Sequence, residues 1–391
     1  MRRYLIATAV ALSACSAALA DTVGDVLKQI AANNLTLQSA AHDMRADVLD
    51  IKATNTLGGP SVEYSPFFTK GYSGVAESEL VVSQEIDFPT KYAARSKQAQ
   101  MQQTVGDQLL VKQRRDILLQ AQLVCIDVIR LNQSLAMLRE RLSNSETLLQ
   151  MYEKRMEAGD ANALELNKVK IDCMEVRTLV GEAEGERTAL LQQLRQLNGG
   201  KPIDVSSTEL PHYEPIADFE QYRALAVASD ADVAVAQTAL RAADMNLKVQ
   251  KSEWLPSISF GYRRNTEQRE AINGFMVGVS FPLYSNSSNV KAARERRQSA
   301  ELQVQQAQHD AEASLRTSYE QLQGLQQVID HSDVKLLQES LTLFRKALQQ
   351  GEITALAYYV EINSIYEKLQ RHIDLHSQSV KLLAELHRNE L

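Results

Sequence analysis

The sequence has only three cysteines in 391 residues and, beyond its first twenty residues, no apolar run of 18 or more. A membrane-spanning helix needs about 20 predominantly apolar residues, so none is predicted. Two cysteines, Cys125 and Cys173, lie inside long helical patterns, where we expect buried free thiols rather than a disulfide. No Cys/His spacing typical of zinc occurs, so no metal site is expected.

The chain also lacks an excess of basic residues. Its 42 Lys and Arg against 49 Asp and Glu give a formal net charge of −7, so a nucleic-acid partner is not expected. No glycine-rich phosphate loop and no Ser-His-Asp signature stands out. The sequence therefore predicts neither an enzyme nor a bound cofactor, although 44% hydrophobic residues are typical of a folded chain.

Residues 1–20 have the pattern of an export signal. Two arginines precede a short apolar run and a small-x-small sequence that ends at Ala20. An alternative is a bacterial lipobox at 12–15, which would make Cys15 a lipidated N-terminus. Cleavage after Ala20 is favoured because the apolar stretch before Cys15 is short. With either interpretation the chain leaves the cytoplasm.

Three short motifs occur twice, in the same order, 192 to 196 residues apart. The pairs are Pro60–Tyr64 with Pro256–Phe260, Phe88–Pro89 with Phe281–Pro282, and Ala158–Leu164 with Gln350–Leu356. This spacing is too long for a solenoid and indicates an internal duplication. We predict a first structural repeat over 21–199, a glycine- and proline-containing linker over 200–217, and a second repeat over 218–391.

Each repeat has one short helical region and one very long one. Apolar residues recur at three- and four-residue steps over 21–55 and 219–253. The stretches 92–158 and 289–350 contain no proline and are predicted to be long helices that end at glycine tips, Gly159 and Gly351. Some 65 helical residues span about 100 Å, a length that indicates coiled-coil packing or an extended assembly.

Between the helical regions, each repeat has two segments in which apolar and polar residues alternate. They predict one hairpin at about 60–88 and another at about 257–282, with turns near 69–73 and 264–273. The apolar face could pack on a soluble bundle or meet lipid in a barrel. Aromatic residues at the strand ends and the long helices favour the barrel. Because four strands cannot close a barrel, several copies would share one.

This order of elements, repeated, resembles the TolC-type outer-membrane efflux family over essentially the whole mature chain. The local signatures are Ile86–Pro89 and Val279–Pro282, where a strand ends on a proline, and the tips Arg155–Gly159 and Lys346–Gly351. The resemblance implies a mainly α fold with a membrane β part. It further implies a homotrimer with a twelve-stranded β-barrel in the outer membrane and an α-helical barrel in the periplasm.

The function that the resemblance implies is a passive exit duct in the outer membrane, surrounded by lipid. Such ducts work with a periplasmic adaptor (membrane fusion) protein and an inner-membrane pump. In its lack of an extension after Leu391, the chain most resembles family members that partner resistance-nodulation-division pumps, including the heavy-metal branch. A type I secretion duct is an alternative. So is a soluble periplasmic coiled-coil adaptor or scaffold, which would need no detergent.

By the same resemblance, the two tips form the periplasmic mouth and meet the adaptor. The residues that correspond are Ala158, Gly159, Asp160, Gln350, Gly351 and Glu352. Some relatives have an aspartate ring after the second glycine, but here Ala357 and Val360 occupy those positions. Glu165 and Glu361 are instead the candidate pore-mouth carboxylates, and a solvated helix face is the alternative for each.

One further pattern, His372 and His376, places two imidazoles one helical turn apart. It lacks the glutamate of a zinc-protease helix, and two ligands without a third make a poor closed site. We therefore expect structural or solvent-facing histidines, and an exported metalloenzyme is the alternative.

Overall fold

The computed structural model describes residues 22–71, 73–160, 162–267, 270–282 and 286–391. The expected signal sequence and Cys15 lie outside these ranges, so both stay predictions.

The two halves of the chain contain the same order of elements. The first has α1 (Val23–Asn33), α2 (Leu35–Ala53), β1 (Ser61–Phe67), β2 (Glu77–Asp87), α3 (Pro89–Glu157) and α4 (Ala163–Leu197). The second has α5 (Phe219–Ala228), α6 (Ala231–Ser252), β3 (Ser257–Glu267), β4 (Glu270–Ser280), α7 (Ser287–Asp330), α8 (Val334–Gln350) and α9 (Ala355–Leu386). A short 3₁₀ helix, His387–Glu390, follows. The predicted order of a helix, a hairpin, a long helix and a returning helix is confirmed in both halves.

The first helical region of each half is broken once, where we predicted it to be continuous. Asn34 leaves the helical backbone between α1 and α2, and its side-chain Nδ2 donates to the Leu197 carbonyl at 2.8 Å. Asp230 caps α6 by accepting from the amides of Asp232 and Val233. Asn and Asp favour caps because their short side chains satisfy free backbone groups at helix ends.

The long helices of the two halves differ. Helix α3 is continuous over 69 residues, as predicted, and spans about 100 Å. The predicted continuous helix over 289–350 is wrong, because α7 ends at Asp330 and α8 begins at Val334. The side chain of Asp333 accepts from the Leu336 amide at 2.9 Å and so caps α8. No helix in the described residues is both long and apolar enough to cross a membrane.

The four strands form one antiparallel sheet in the order β1-β2-β3-β4. Strands β2 and β3 pair from Glu77 with Glu267 to Asp87 with Ser257, so the hairpins of the two halves are joined. The predicted wide turn at 264–273 is wrong, because β3 and β4 stay paired up to Glu267 with Glu270. Residues 264–267 are polar on both faces, so the alternation that marks a strand is absent there.

The described residues form two compact units. Residues up to Leu35, Ile117–Pro215 and Ser318–Leu391 form the first, which we call the helical unit. Thr36–Asp116 and Ile216–Thr317 form the second, the sheet unit. Each half of the sequence contributes to both units. The predicted repeats are therefore repeats of the sequence and do not coincide with the two compact units. Their boundaries stay a prediction.

An apolar cluster holds α3, α4, α8 and α9 together in the helical unit. Its buried members are Leu148, Tyr152, Val169, Leu348, Ala355, Tyr358, Tyr359, Ile362, Ile365, Tyr366 and Leu369. The members on α9 recur at three- and four-residue steps, which is one stripe of a helix. This spacing is why α9 packs along its length against the other helices.

A buried ion pair lies on the same helices. An Nη2 atom of Arg141 on α3 donates to Asp172 on α4 and to Asn363 on α9, both at 2.8 Å. Ser145 donates to the other oxygen of Asp172 at 2.7 Å. The Asp172 side chain is 1% exposed, and the Arg141 guanidinium lies 4.8 Å from the ring centre of Tyr366. Three helices are thus tied at one level by a charged group without access to water.

We predict that Asp172→Ala lowers the free energy of unfolding by about 3–5 kcal/mol, because it leaves the Arg141 charge buried without its partner. Glu146→Ala is the matched control. Its ion pair with Arg177 also joins α3 to α4 but is exposed, so a much smaller loss is expected. Urea unfolding in detergent, followed by circular dichroism, measures both. Equal losses in the two variants would contradict the prediction.

Candidate functional site

One face of the sheet is apolar and largely uncovered. Directly paired residues of an antiparallel sheet share a face. This apolar face carries Val62, Tyr64, Leu80, Val82, Ile86, Ile258, Phe260, Tyr262, Phe275, Val277 and Val279. Phe275 is 93% exposed and Val277 is 69% exposed. A contiguous exposed apolar surface of this kind marks contact with another apolar phase or with a partner.

The opposite face of the sheet is acidic. Its carboxylates are Glu63, Glu77, Glu79, Glu85, Asp87, Glu267 and Glu270. Arg263 is the one basic residue among the described strand positions on this face, and it forms an ion pair with Glu79. Serines and glycines occupy many of the remaining positions. The acidic face therefore attracts cations, although Phe67, Val81, Ile272 and Met276 also lie on it.

Four charged groups hold the base of the sheet to the helices that follow and precede it. Arg95 on α3 donates to Asp87 at the end of β2 and to Glu253 at the end of α6, both at 2.7 Å. Lys91, 5% exposed, approaches the same two carboxylates at 3.1 and 3.6 Å. Burial alone would lower the pKa of Arg95, but the hydrogen bonds that Arg95 donates to Glu253 and Asp87 outweigh burial and raise that pKa. The guanidinium stays charged.

The first predicted tip, at Gly159, closes α3 with a left-handed residue. Gly159 has φ +79°, a conformation that other L-residues adopt only with strain. Its amide donates to Met156 O at 3.1 Å, and the Asp160 amide donates to Arg155 O at 2.8 Å. These two bonds form a Schellman motif and satisfy carbonyls that the helix end leaves free.

The second predicted tip repeats this geometry. Gly351 has φ +77°, its amide donates to Leu348 O at 3.1 Å, and the Glu352 amide donates to Ala347 O at 2.9 Å. The duplicated sequence thus encodes duplicated capping. All six predicted docking residues, which are Ala158, Gly159, Asp160, Gln350, Gly351 and Glu352, are exposed. Their docking role stays a prediction.

The tips also present a feature that the sequence analysis missed. Leu164 is 74% exposed and Leu356 is 60% exposed, each as the second residue of a returning helix, α4 or α9. The repeated Ala-Leu pair that ends the duplicated tip motif was the signal. Each tip segment therefore carries an exposed apolar residue as well as an exposed acidic one.

The predicted pore-mouth carboxylates lie on the returning helices. Glu165 is half-buried in the first turn of α4, and Glu361 is exposed on α9. Burial, and then the charge of Glu165, raises the pKa of the Tyr152 hydroxyl on α3. Glu165 therefore lies against the packed helices as well as near the tip. A gating role for either glutamate stays a prediction.

The two histidines on α9 are neighbours, with ring centres 6.1 Å apart. The Nδ1 atom of His372 is buried and has no hydrogen-bond partner. Burial, and then the proximity of His376, lowers the pKa of His372. Within the described residues no group of three or more His, Cys, Asp or Glu is placed to hold a metal.

The thiols of Cys125 and Cys173 are free and buried, which confirms their predicted state. Burial raises the pKa of Cys125 to about 12, so this thiol is unreactive at neutral pH.

The family model described as outer membrane efflux protein matches residues 26–200 and 223–388. The chain belongs to this family. It is an outer-membrane efflux protein that extends into the periplasm, and the resemblance inferred from the duplicated motifs is confirmed. The family is one of efflux channels and not of enzymes.

Solved structures of the same fold include three outer-membrane proteins. CusC, described with its transmembrane channel formation, has a TM-score of 0.77 at 19% identity and covers 95% of this chain and 92% of its own. VceC from Vibrio cholerae has a TM-score of 0.73 at 15% identity and covers 94% of this chain and 95% of its own. The open MtrE channel of Neisseria gonorrhoeae has a TM-score of 0.69 at 14% identity and covers 94% of this chain and 88% of its own. No curated protein sequence matches the chain. These likenesses establish the fold of the efflux family for this protein.

We predict that Gly159→Val and Gly351→Val each cost about 1–2 kcal/mol of stability, because a side chain is strained at positive φ. Gly181→Ala is the control. It lies inside α4 with open space for a Cβ, and alanine there should stabilise the helix by about 0.5–1 kcal/mol. Thermal unfolding and amide hydrogen exchange at the tips measure both effects. Tip variants as stable as wild type would show that the glycine backbone is not required.

Proposed function

We propose that this efflux protein is a passive exit duct made of three copies of the chain. Each copy contributes its four strands to one twelve-stranded barrel, and its helices continue the duct into the periplasm. The observation that carries the proposal is the two-faced sheet, with apolar side chains such as Phe275 exposed on one face and carboxylates on the other. A barrel of copies turns the apolar face to lipid and the acidic face to water.

The edges of the sheet support the same assembly. Strands β1 and β4 are the two edge strands, and their outer backbone groups have no partner within the sheet. Lipid tolerates no open edge, because each unsatisfied N–H or C=O costs several kcal/mol there. Pairing β4 of one copy with β1 of the next satisfies both edges. A soluble scaffold would instead have to cover the apolar face with its own helices, and Phe275 is uncovered.

The tips are the proposed contact with the periplasmic adaptor. Each carries a left-handed glycine, an acidic residue and an exposed leucine, at Gly159, Asp160 and Leu164 and at Gly351, Glu352 and Leu356. Protein interfaces combine an apolar core with a polar rim, and each tip offers residues of both kinds. Through the adaptor, an inner-membrane pump of the resistance-nodulation-division type supplies the energy. The duct itself performs no chemistry and binds no nucleic acid.

The lipid-facing role of the apolar face is tested by two neighbouring residues. Val277→Arg puts a charge on that face, and we expect a loss of about 2–4 kcal/mol and little folded protein in the membrane. Residue 276 lies on the acidic face, where a cation is favoured, so the Met276→Arg variant should fold normally.

The measurement is the yield and mass of the detergent-extracted complex from the outer-membrane fraction. Trimers are expected for wild type and Met276→Arg and not for Val277→Arg. A detergent-independent monomer, or equal effects of the two variants, would contradict the duct.

We further predict that the duct prefers cations. Purified protein in planar bilayers under a KCl gradient should show a reversal potential set by K⁺ rather than Cl⁻, since carboxylates line the water-filled face. Replacing Glu63, Glu79 and Glu85 by glutamine should move that potential toward zero. A control triple of glutamines at Glu146, Glu175 and Glu182, on α3 and α4, should move it much less. A wild-type channel without charge preference would contradict the assignment of the acidic face to the lumen.

A further inference from the structure

Helix α9 contains a pair of imidazoles whose surroundings differ from those of ordinary structural histidines. His372 and His376 are one turn apart, and their ring centres are separated by 6.1 Å with the planes inclined by 32°. Two imidazoles bound to one ion, with metal–nitrogen distances of about 2.0–2.1 Å, have centres about 5 Å apart. The pair is therefore about 1 Å from chelating geometry, a distance that side-chain rotation covers.

The His372 ring is poorly satisfied where it lies. Its Nδ1 atom is buried and has no hydrogen-bond partner, although a buried polar atom without a partner costs about 1–3 kcal/mol. A structural histidine normally has a backbone or side-chain partner that fixes its ring. Because no such bond restrains Nδ1 of His372, rotation of the ring toward an ion breaks no hydrogen bond at that atom.

Space for the remaining ligands of an ion adjoins the same ring. His372 lines a cavity of about 590 Å³, together with residues at the break between α7 and α8. Ser332 and Asp333 lie on that side, and Glu367, Lys368 and Arg371 come from α9 itself. A cavity with polar walls can hold the water molecules that complete a coordination shell.

The formal charge around the pair also permits a cation. Among the residues that line the cavity, Asp333 and Glu367 balance Lys368 and Arg371, so the lining carries no formal charge apart from its histidines. The neutral form of imidazole is the form that binds a metal.

From this geometry we propose that His372 and His376 form a binding site for one divalent transition-metal ion per chain. Imidazole nitrogen suits ions of the Zn²⁺, Cu²⁺ and Ni²⁺ type, and water fills the other positions. With two protein ligands the site is exchangeable and weaker than a closed structural site. A bound ion links two successive turns of α9 beside the α7–α8 break. This inference does not depend on the proposed duct.

The test uses untagged, chelator-treated full-length mature protein in detergent, with Zn²⁺ titrated by calorimetry. We expect one ion per chain, and at least tenfold weaker binding in His372→Gln and in His376→Gln. His309→Gln is the matched control, because this exposed histidine belongs to the sheet unit whereas the pair belongs to the helical unit, and its binding should equal that of wild type. Absence of saturable binding, or unchanged affinity in both pair variants, would overturn the proposal.

A second measurement needs no substitution. Diethyl pyrocarbonate acylates free imidazole nitrogen, and peptide mass analysis reports the extent at each histidine. Zn²⁺ should reduce modification of His372 and His376 in wild-type protein while leaving His309 unaffected. Equal modification with and without Zn²⁺ would overturn the site even if the variants failed to fold. Neither measurement involves transport, so the result is separate from that of the bilayer experiment.

Discussion

Hydrogen bonding of the sheet edges in lipid is the constraint on which the rest of the architecture depends. A four-stranded sheet with an exposed apolar face has a stable place in a membrane only when its edge strands, β1 and β4, find partners. Symmetric copies of one chain provide such partners without a second gene product. In the proposed duct the same symmetry would multiply the seven carboxylates of the acidic face, so the charge of the lumen would follow from closing the barrel.

The duplication and the sheet are linked by the pairing of β2 with β3. Each half encodes one hairpin, and an isolated hairpin is marginally stable at best. Pairing along the full length of both strands joins the halves into one surface. At its base, Glu253 from the second half meets Arg95 from the first, so charge pairing reinforces the backbone pairing. Arg95 and Glu253 both lie outside the three duplicated motifs.

The periodicity of apolar residues made most of the fold predictable. The helix breaks were not predictable, because they depend on polar caps that the periodicity does not reveal. The strand alternation, the continuous α3 and the two glycine tips followed from the sequence. The breaks at Asn34, Asp230 and Asp333 did not, since no proline or glycine marks them and polar caps are common on solvated helix faces. The turn after β3 was misplaced because residues 264–267 are polar on both faces. The exposed Leu164 and the orphan Nδ1 of His372 depend on side-chain packing, which periodicity does not report.

The chemistry of the acidic face also bears on where cargo is selected. Serines, glycines and carboxylates provide charge but do not form a shaped pocket. They therefore discriminate between cargo molecules by the sign of their charge rather than by their structure. The potential from these charges decays over about 8 Å at physiological ionic strength, which leaves the centre of a wide lumen only weakly biased. A duct lined in this way admits many cationic or neutral molecules. Selection among them therefore has to occur before the cargo arrives, where a binding pocket can enclose it.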